Sequence, residues 1–212
     1  GIVSGLSKSD RDIIGVYPMR GKLFNVRGET QKRIGENKEI TEIKKILGLE
    51  NGKKYDTPES IHSLRYGKIL FMTDQDLDGS HIKGLGINLF DAQWPSLLQI
   101  PDFIGFMNTP ILKASKGALT RSFYNEGEWE KWKASNDSSG WRVKYYKGLG
   151  TSTAKEFKAY FAEKRTVTFT EADTARDDLD KVFNKKRASD RKEWLRAYDR
   201  DLYLDTTNRQ VS

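Results

Sequence analysis

The sequence predicts an α/β fold in which a mostly parallel sheet is flanked by helices. Short apolar runs typical of strands alternate with longer segments whose apolar residues recur at helical spacing. The clearest strand covers residues 68–73 and stops at Asp74. The segment that follows places Ile82, Leu85 and Leu89 on one helical face. Strands that alternate with helices favour parallel pairing, because each helix can return the chain to the same end of the sheet.

The other elements are predicted from the same periodicities. Residues 13–27 are expected to form a strand and a basic loop. Residues 36–47 show helical spacing, and Gly48 is a plausible stop. Pro95 should kink the helix predicted over 80–98, or begin a new turn. Further strands are predicted at 103–114, 120–124, 141–146 and 166–170, and further helices at 126–135, 151–164, 174–184 and 188–198.

Large aromatic residues in the later elements are expected to pack against the rest of the protein. Trp129, Trp132 and Trp141 are interpreted as packing residues. Trp194 and Leu195 lie in the last predicted helix, and we expect them in the core rather than at a surface that stacks on bases.

The composition limits the partners that the chain can have. Its 212 residues are enough for one large domain, or for one domain with a smaller appendage. The 37 basic and 30 acidic residues leave a formal charge of +7, which favours a polyanionic partner but also occurs in basic domains that bind none. No run approaches the ~20 apolar residues needed to cross a bilayer. The start at Gly1, without an initiator methionine, predicts a segment of a longer protein.

The residue types also limit the kind of metal site. The sequence has no cysteine, which excludes disulfides and thiolate ligands. With only His62 and His81 present, a zinc site built from histidines is not expected. Any metal must therefore be held by oxygen, which indicates Mg²⁺, Mn²⁺ or Ca²⁺.

An acidic turn directly follows the clearest strand. Asp74, Asp76 and Asp78 occupy every second position, so an extended chain would project all three carboxylates to one side. Carboxylates this close repel one another, and a divalent cation relieves the repulsion, although a solvated turn needs no metal. Ligand sites in open α/β sheets lie at the carboxyl ends of strands. Gly79 permits a sharp turn into the next helix, which Ser80 is expected to cap.

Two other classes of site begin with a similar acidic pattern. An EF-hand loop needs a bidentate Glu at its twelfth position, which is Leu85 when counted from Asp74, so the EF-hand is excluded. A phosphohydrolase of the haloacid-dehalogenase type would use Asp74 as its nucleophile. That motif usually opens a domain and has Thr or Val where Asp78 stands, but this enzyme class stays open. A non-catalytic nucleic-acid-binding module, suggested by the charge alone, stays open as well.

Four motifs in order resemble a known family. Residues 73–83 (TDQDLDGSHIK) resemble the metal-binding segment of the TOPRIM domain in type IIA DNA topoisomerases. Residues 17–27 (YPMRGKLFNVR), 145–152 (YYKGLGTS) and 190–195 (DRKEWL) resemble the eukaryotic type of these enzymes. Because the motifs occur in the family's order and spacing, the resemblance covers nearly the whole chain.

The resemblance implies a Rossmann-like TOPRIM sheet flanked by helices. It assigns residues 1–165 to the TOPRIM domain, truncated at its N-terminus, and residues 166–212 to a helical extension leading toward a winged-helix cleavage domain. The whole enzyme is an ATP-dependent isomerase that passes one DNA duplex through a break in another. The implied partners are double-stranded DNA and a second copy of the full-length protein, with no membrane. ATP is bound in another domain, and the implied location is nuclear, with a mitochondrial or other organellar location as the alternative.

The resemblance also implies roles for individual residues. Asp74 and Asp76 match positions that ligate Mg²⁺, for which Mn²⁺ or Ca²⁺ are possible substitutes, and Asp78 matches a third acidic position. The implied DNA-contacting residues are Arg20, Lys22, Asn25, Arg191 and Lys192, and the implied supporting residues are His81, Lys83 and Lys147.

Two parts of the family's catalytic site are not in this sequence. The metal site of the family also uses a Glu in an E-G-D-S segment, which would lie upstream of Gly1. The nucleophilic Tyr lies in the downstream winged-helix domain, so none of the nine tyrosines here is assigned that role. No catalytic residue is therefore expected in this chain, and the chain alone is expected to be inactive.

Overall fold

The computed structural model describes residues 2–163 and 165–199, together with the backbone of residues 210 and 211. In chain order the helices are α1 (Ile2–Gly5), α2 (Lys8–Ile13), α3 (Gln31–Gly35), α4 (Lys38–Leu47), α5 (Pro58–His62), α6 (Leu77–Gln93), α7 (Glu126–Ser135), α8 (Ala154–Glu163), α9 (Ala175–Phe183) and α10 (Ala188–Arg196). The strands are β1 (Ile69–Phe71), β2 (Ile104–Met107), β3 (Leu112–Lys116), β4 (Leu119–Phe123), β5 (Arg142–Tyr145), β6 (Thr166–Phe169) and β7 (Gln210–Val211). Short 3₁₀ helices cover Pro95–Gln99, Leu149–Thr151 and Lys185–Arg187.

The chain divides into two compact units, each made of three segments. The first unit contains Gly1–Pro18, Met72–Ser80 and Met107–Thr166, and the second contains Met19–Phe71, His81–Phe106 and Val167–Ser212. The domain boundary predicted at residue 165 stays a prediction, and part of the predicted extension lies outside the described residues.

The main sheet has four strands in the order β1-β2-β6-β7. Strands β1 and β2 are parallel, as are β6 and β7. The core beside this sheet, in the second unit, is built from buried apolar residues of α4, α6 and the loops around them, including Ile40, Tyr55, Phe90 and Leu97. The prediction of an α/β fold is confirmed.

The first unit contains a smaller sheet of a different kind. Its order is β4-β3-β5, and β3 is antiparallel to both neighbours. Helix α7 packs on it through Trp129, which is buried with Leu112 and Phe123. Trp132 and Trp141 join this aromatic cluster, so the expectation that these three tryptophans pack is confirmed. The predicted run 103–114 contains two strands because Pro110 separates β2 from β3.

Several expected elements differ from the structure. Residues 14–30, all of them described, contain neither helix nor strand, so the strand expected in 13–27 is wrong. The apolar residues of this stretch instead anchor an irregular loop, since Leu23 and Val26 are buried. Trp194 and Leu195 are 51% and 58% exposed, so their expected place in the core is also wrong.

Other local predictions are confirmed. Helix α4 ends at Leu47, and Gly48 follows with a left-handed φ of 75°. Pro95 begins a 3₁₀ helix after α6 has ended. The short helices α1, α2, α3 and α5 were not predicted, because four to six residues are too few to display a helical period.

Candidate functional site

The acidic turn connects β1 to helix α6. Asp74 is half-buried, whereas Asp76 and Asp78 are exposed. The N–H of Gly79 donates to Asp76 Oδ1 at 2.7 Å, and the N–H of Ser80 donates to the carbonyl of Asp76 at 3.0 Å. Asp76 is therefore the residue that caps α6, and the expectation that Ser80 caps it is wrong. Asp78 already lies in the first helical turn, where the positive end of the helix dipole favours a carboxylate.

The carboxylate of Asp74 is held by the backbone of the loop at residues 147–152. The N–H of Leu149 donates to Asp74 Oδ1 at 2.6 Å. A β-carbon built on Gly148 would lie 2.8 Å from the carboxyl carbon and from both carboxylate oxygens of Asp74. The loop thus reaches the acidic group at a position that only a glycine permits.

A second glycine allows the acidic turn to fold back on itself. A β-carbon on Gly79 would lie 1.9 Å from the carbonyl oxygen of Asp74 and 3.0 Å from Thr73 Oγ1. The first turn of α6 therefore packs directly against the backbone of Asp74 and the side chain of Thr73. This contact fixes the position of the Asp74 backbone, from which the carboxylate extends.

The ligand types around Asp74 suit a hard divalent cation. Carboxylate oxygens are the ligands that Mg²⁺ prefers, and the described hydrogen bonds occupy Oδ1 of Asp74 and of Asp76 while leaving each Oδ2 available. Beside Asp74, two buried polar atoms, Thr73 Oγ1 and Gln75 Nε2, have no hydrogen-bond partner among the described residues. Within that same part of the chain, no three His, Cys, Asp or Glu side chains are arranged to hold a metal. The carboxylates of Asp74 and Asp76 could therefore supply part of a magnesium shell, but not all of it.

The close approach of Gly148 to Asp74 makes a testable pair of variants. We expect Gly148→Ala in the full-length protein to lower Mg²⁺-dependent DNA cleavage by at least ~10-fold, because the new methyl group would collide with the carboxylate of Asp74, the predicted metal ligand. Gly148 has extended backbone angles (φ 176°, ψ 178°), so the cost is steric rather than conformational. Plasmid linearisation measures the effect.

Gly150→Ala is the matched control, since a β-carbon there meets no atom within 4 Å. We expect this control to change cleavage by less than about twofold, as is usual for an exposed position without special contacts. Equal losses in the two variants would contradict a specific contact between Gly148 and Asp74.

Lys147, the first residue of this loop, is exposed and belongs to the first unit. The other basic residues expected at the site belong to the second unit. Arg20 and Lys22 are exposed, and the N–H of Arg20 donates to Glu39 Oε1 at 3.1 Å. Exposed cations in an irregular loop are suited to contact a phosphate backbone.

Asn25 makes hydrogen bonds that hold its loop in place. Its Nδ2 donates to the carbonyl of Phe183 at 2.8 Å, and its Oδ1 accepts from the N–H of Arg27 and from Nδ2 of Asn88. Arg27 Nε in turn donates to Asn88 Oδ1 at 2.7 Å, and its guanidinium pairs with buried Asp91. The geometry gives Asn25 a structural role in the loop that carries Lys22.

Arg191 reaches the same turn that Asn25 contacts. Its Nη1 donates to the carbonyls of Lys181 and Asn184, at 2.9 Å and 2.7 Å. The guanidinium therefore joins α10 to the end of α9. Lys192, the next residue, is exposed.

His81 and Lys83, the two supporting residues on α6, each contact an aromatic ring. The ring of His81 stacks on that of Phe183, with centroids 6.3 Å apart and planes 12° apart. Lys83 Nζ lies 5.4 Å from the centroid of Phe106. Burial lowers the pKa of Lys83 from its usual value, because desolvation disfavours the charged form.

The sequence marks residues 145–152 as a motif, but it did not predict the contacts of Gly148 and Leu149 with Asp74 or the Arg27–Asn88–Asp91 network. A backbone N–H leaves no signature in a sequence, so the contact of Leu149 with Asp74 could not be predicted. The sequence does carry one local signal beside this loop, the Ser/Thr-x-x-Glu pattern of a capping box that begins at Thr153.

Comparison with known proteins identifies the family. Residues 107–212 match the family described as the C-terminal associated domain of TOPRIM. The chain is 51% identical over 203 residues to DNA topoisomerase 2-beta of Gallus gallus, covering 94% of this chain and 12% of that protein. It is 44% identical over 213 residues to DNA topoisomerase 2 of Plasmodium falciparum (isolate K1 / Thailand), covering 99% of this chain and 15% of that protein.

A solved structure agrees with these relatives. The crystal structure of the Plasmodium falciparum topoisomerase II DNA-binding, cleavage and re-ligation domain superposes with a TM-score of 0.91 at 45% identity, covering 99% of this chain and 29% of that one. The chain spans only about an eighth of the length of the first curated relatives. The resemblance inferred from the four motifs is confirmed. The chain belongs to the TOPRIM-associated family and corresponds to a segment of the type IIA DNA topoisomerases of eukaryotic type.

Proposed function

We propose that this chain is part of the DNA breakage–reunion core of an ATP-dependent type II DNA topoisomerase, an isomerase. In this proposal the chain holds Mg²⁺ for the cleavage and religation of DNA. The observation that carries the proposal is the Asp74 carboxylate, oriented by the N–H of Leu149 beside the exposed Lys147. The names of the relatives support the enzyme class.

The metal site would be formed by the acidic turn together with residues of the longer protein. Asp74 and Asp76 would ligate Mg²⁺ through their available oxygens, and Asp78 would act through water or orient the others. A divalent ion held there would stabilise the negative charge that develops on a phosphodiester under attack. The hydrogen bonds from Leu149 and Gly79 would help to orient both carboxylates toward the ion.

The basic residues would bind the DNA backbone. Arg20, Lys22 and Lys192 are exposed cations that can contact phosphates, which adds salt-dependent affinity without sequence preference. Asn25 and Arg191 are also proposed to contact DNA, and both hydrogen-bond to the turn at residues 181–184.

The remaining partners belong to the full-length protein. We propose double-stranded DNA as the substrate, a homodimer as the assembly, and ATP bound in another domain. We propose a nuclear location, with a mitochondrial or other organellar location as the alternative. Among the described residues, no helix is both long and apolar enough to cross a membrane.

Cleavage of supercoiled plasmid by the full-length protein tests the function. With Mg²⁺ we expect linear DNA joined to protein through a 5′-phosphotyrosyl bond, and addition of a chelator before the DNA should prevent it. A phospho-aspartyl group trapped on Asp74 from a small phosphate ester would instead support a phosphohydrolase. DNA binding that depends on salt but not on Mg²⁺, without cleavage, would support a non-catalytic module.

A further inference from the structure

Helix α8 begins with a capping box directly after the loop that contacts Asp74. The N–H of Glu156 donates to Thr153 Oγ1 at 3.3 Å, and the N–H of Thr153 donates to Glu156 Oε2 at 2.8 Å. This reciprocal pair fixes the start of the helix. It therefore also fixes the downstream end of the loop at residues 147–152.

The same carboxylate is bonded to the upstream end of that loop. The hydroxyl of Tyr146 donates a short hydrogen bond to Glu156 Oε1. Lys144 Nζ lies 3.0 Å from Oε1 and 3.2 Å from Oε2. Tyr146 directly precedes the loop and Thr153 directly follows it, so one side chain joins both ends.

The electrostatics of this cluster favour an ionised Glu156. Its side chain is only 18% exposed, and burial alone would raise its pKa. Hydrogen bonds from Tyr146, Thr153 and Lys144 outweigh burial and lower the pKa of Glu156 to about 2. Burial and the bond to this carboxylate raise the pKa of Tyr146. A Glu156→Gln change therefore removes a charge that is present at neutral pH.

The loop between these ends also forms hydrogen bonds within itself and to helix α8. The N–H of Thr151 donates to the carbonyl of Gly148 at 3.1 Å, and Ser152 Oγ lies 3.2 Å from the hydroxyl of Tyr160. Its tip donates the N–H of Leu149 to Asp74. Because a loop with closed ends has fewer conformations than an open one, closure keeps this N–H in place.

We propose that Glu156 is a positioning residue for ion binding, which clamps both ends of the loop at residues 147–152 so that Leu149 holds the Asp74 carboxylate. The inference rests on the proposed function, because it concerns the same metal site. Glu156 contacts neither the ion nor the DNA in this proposal. It acts through Leu149, as outer residues that orient a metal ligand commonly do.

Two measurements on the full-length protein test the clamp. In Glu156→Gln, the Mg²⁺ concentration for half-maximal DNA cleavage should rise at least ~10-fold, while cleavage at saturating Mg²⁺ stays within about twofold of the unchanged protein. Without metal, the amides of residues 147–153 should exchange with deuterium at least ~10-fold faster, whereas peptides elsewhere should not change. Tyr146→Phe, which removes one hydrogen bond, should shift both quantities less and in the same direction.

Glu163→Gln is the matched control, since Glu163 is exposed at the other end of the same helix and should alter neither quantity. Unchanged exchange at residues 147–153 in Glu156→Gln would overturn the clamp. Faster exchange with an unchanged Mg²⁺ requirement would overturn its role in positioning Asp74. If amides throughout the Glu156→Gln protein exchange faster, that variant is destabilised as a whole. The test then rests on Tyr146→Phe, judged by exchange at residues 147–153 and by the Mg²⁺ concentration for half-maximal cleavage. Failure of Asp74→Asn to affect cleavage would overturn the proposed function, whatever Glu156→Gln does.

Discussion

Replacing Asp74 by asparagine in the full-length protein is expected to reduce Mg²⁺-dependent DNA cleavage by at least ~100-fold, since several kcal/mol of charge stabilisation depend on the ion. Asparagine keeps the size of the side chain and an oxygen that can accept from the N–H of Leu149. It removes the negative charge that attracts the cation. The loss should therefore come from ion binding and leave the loop in place.

Plasmid linearisation over a range of Mg²⁺ concentrations measures this loss. Asp56→Asn, at an exposed position, is the matched control and should cleave like the unchanged protein. Asp76→Asn is an informative companion, because asparagine caps a helix as well as aspartate does. Reduced cleavage by Asp76→Asn would then result from the loss of the negative charge, because the helix cap is kept. Full cleavage by Asp74→Asn would refute the assignment of Asp74 as a metal ligand.

Replacing Gly79 by alanine is expected to disrupt the acidic turn as a whole. Alanine is the better helix former by about 0.5–1 kcal/mol, so propensity alone would favour the change. The new methyl group, however, would lie 1.9 Å from the carbonyl oxygen of Asp74. Overpacking of this kind costs about 1–3 kcal/mol or more even where side chains can yield, and here the obstacle is backbone. The steric term should therefore win.

Hydrogen exchange measures the local effect of Gly79→Ala. The amides at the start of α6 should open with a free energy at least ~2 kcal/mol lower than in the unchanged protein, and Mg²⁺-dependent cleavage should be lost. Gly35→Ala is the matched control, because Gly35 also lies in a helix but a β-carbon there meets no atom within 4 Å. Normal protection in Gly79→Ala would mean that the turn tolerates a side chain and that its tight fold is not required.

The predictions from the sequence were most accurate where the signal is local. The apolar run before Asp74 predicted β1, helical spacing predicted α4, and Gly48 and Pro95 predicted where helices end or begin. These features depend on residues within a few positions of one another. The four motifs added the family, because their order along the chain is itself a sequence property.

Predictions failed where the same apolar pattern is compatible with two different structures. Apolar residues in 13–27 suggested a strand, but Leu23 and Val26 are buried from an irregular loop. Apolar residues near the end of α10 suggested core, yet Trp194 is half exposed. A hydrophobic side chain favours burial, but its hydrophobicity does not predict the backbone conformation that buries it or the residues against which it packs.

The sequence by itself determined the α/β class, the family and the presence of three aspartates directly after an apolar strand. Only the tertiary structure decided how these aspartates are used locally, with Asp76 as the cap of α6 and Asp74 bonded to Leu149. The physical reason is separation along the chain. Leu149 lies 75 positions from Asp74, and its contribution is a backbone N–H that every residue except proline carries. Folding alone brings that group to the carboxylate, and residue identity does not encode it.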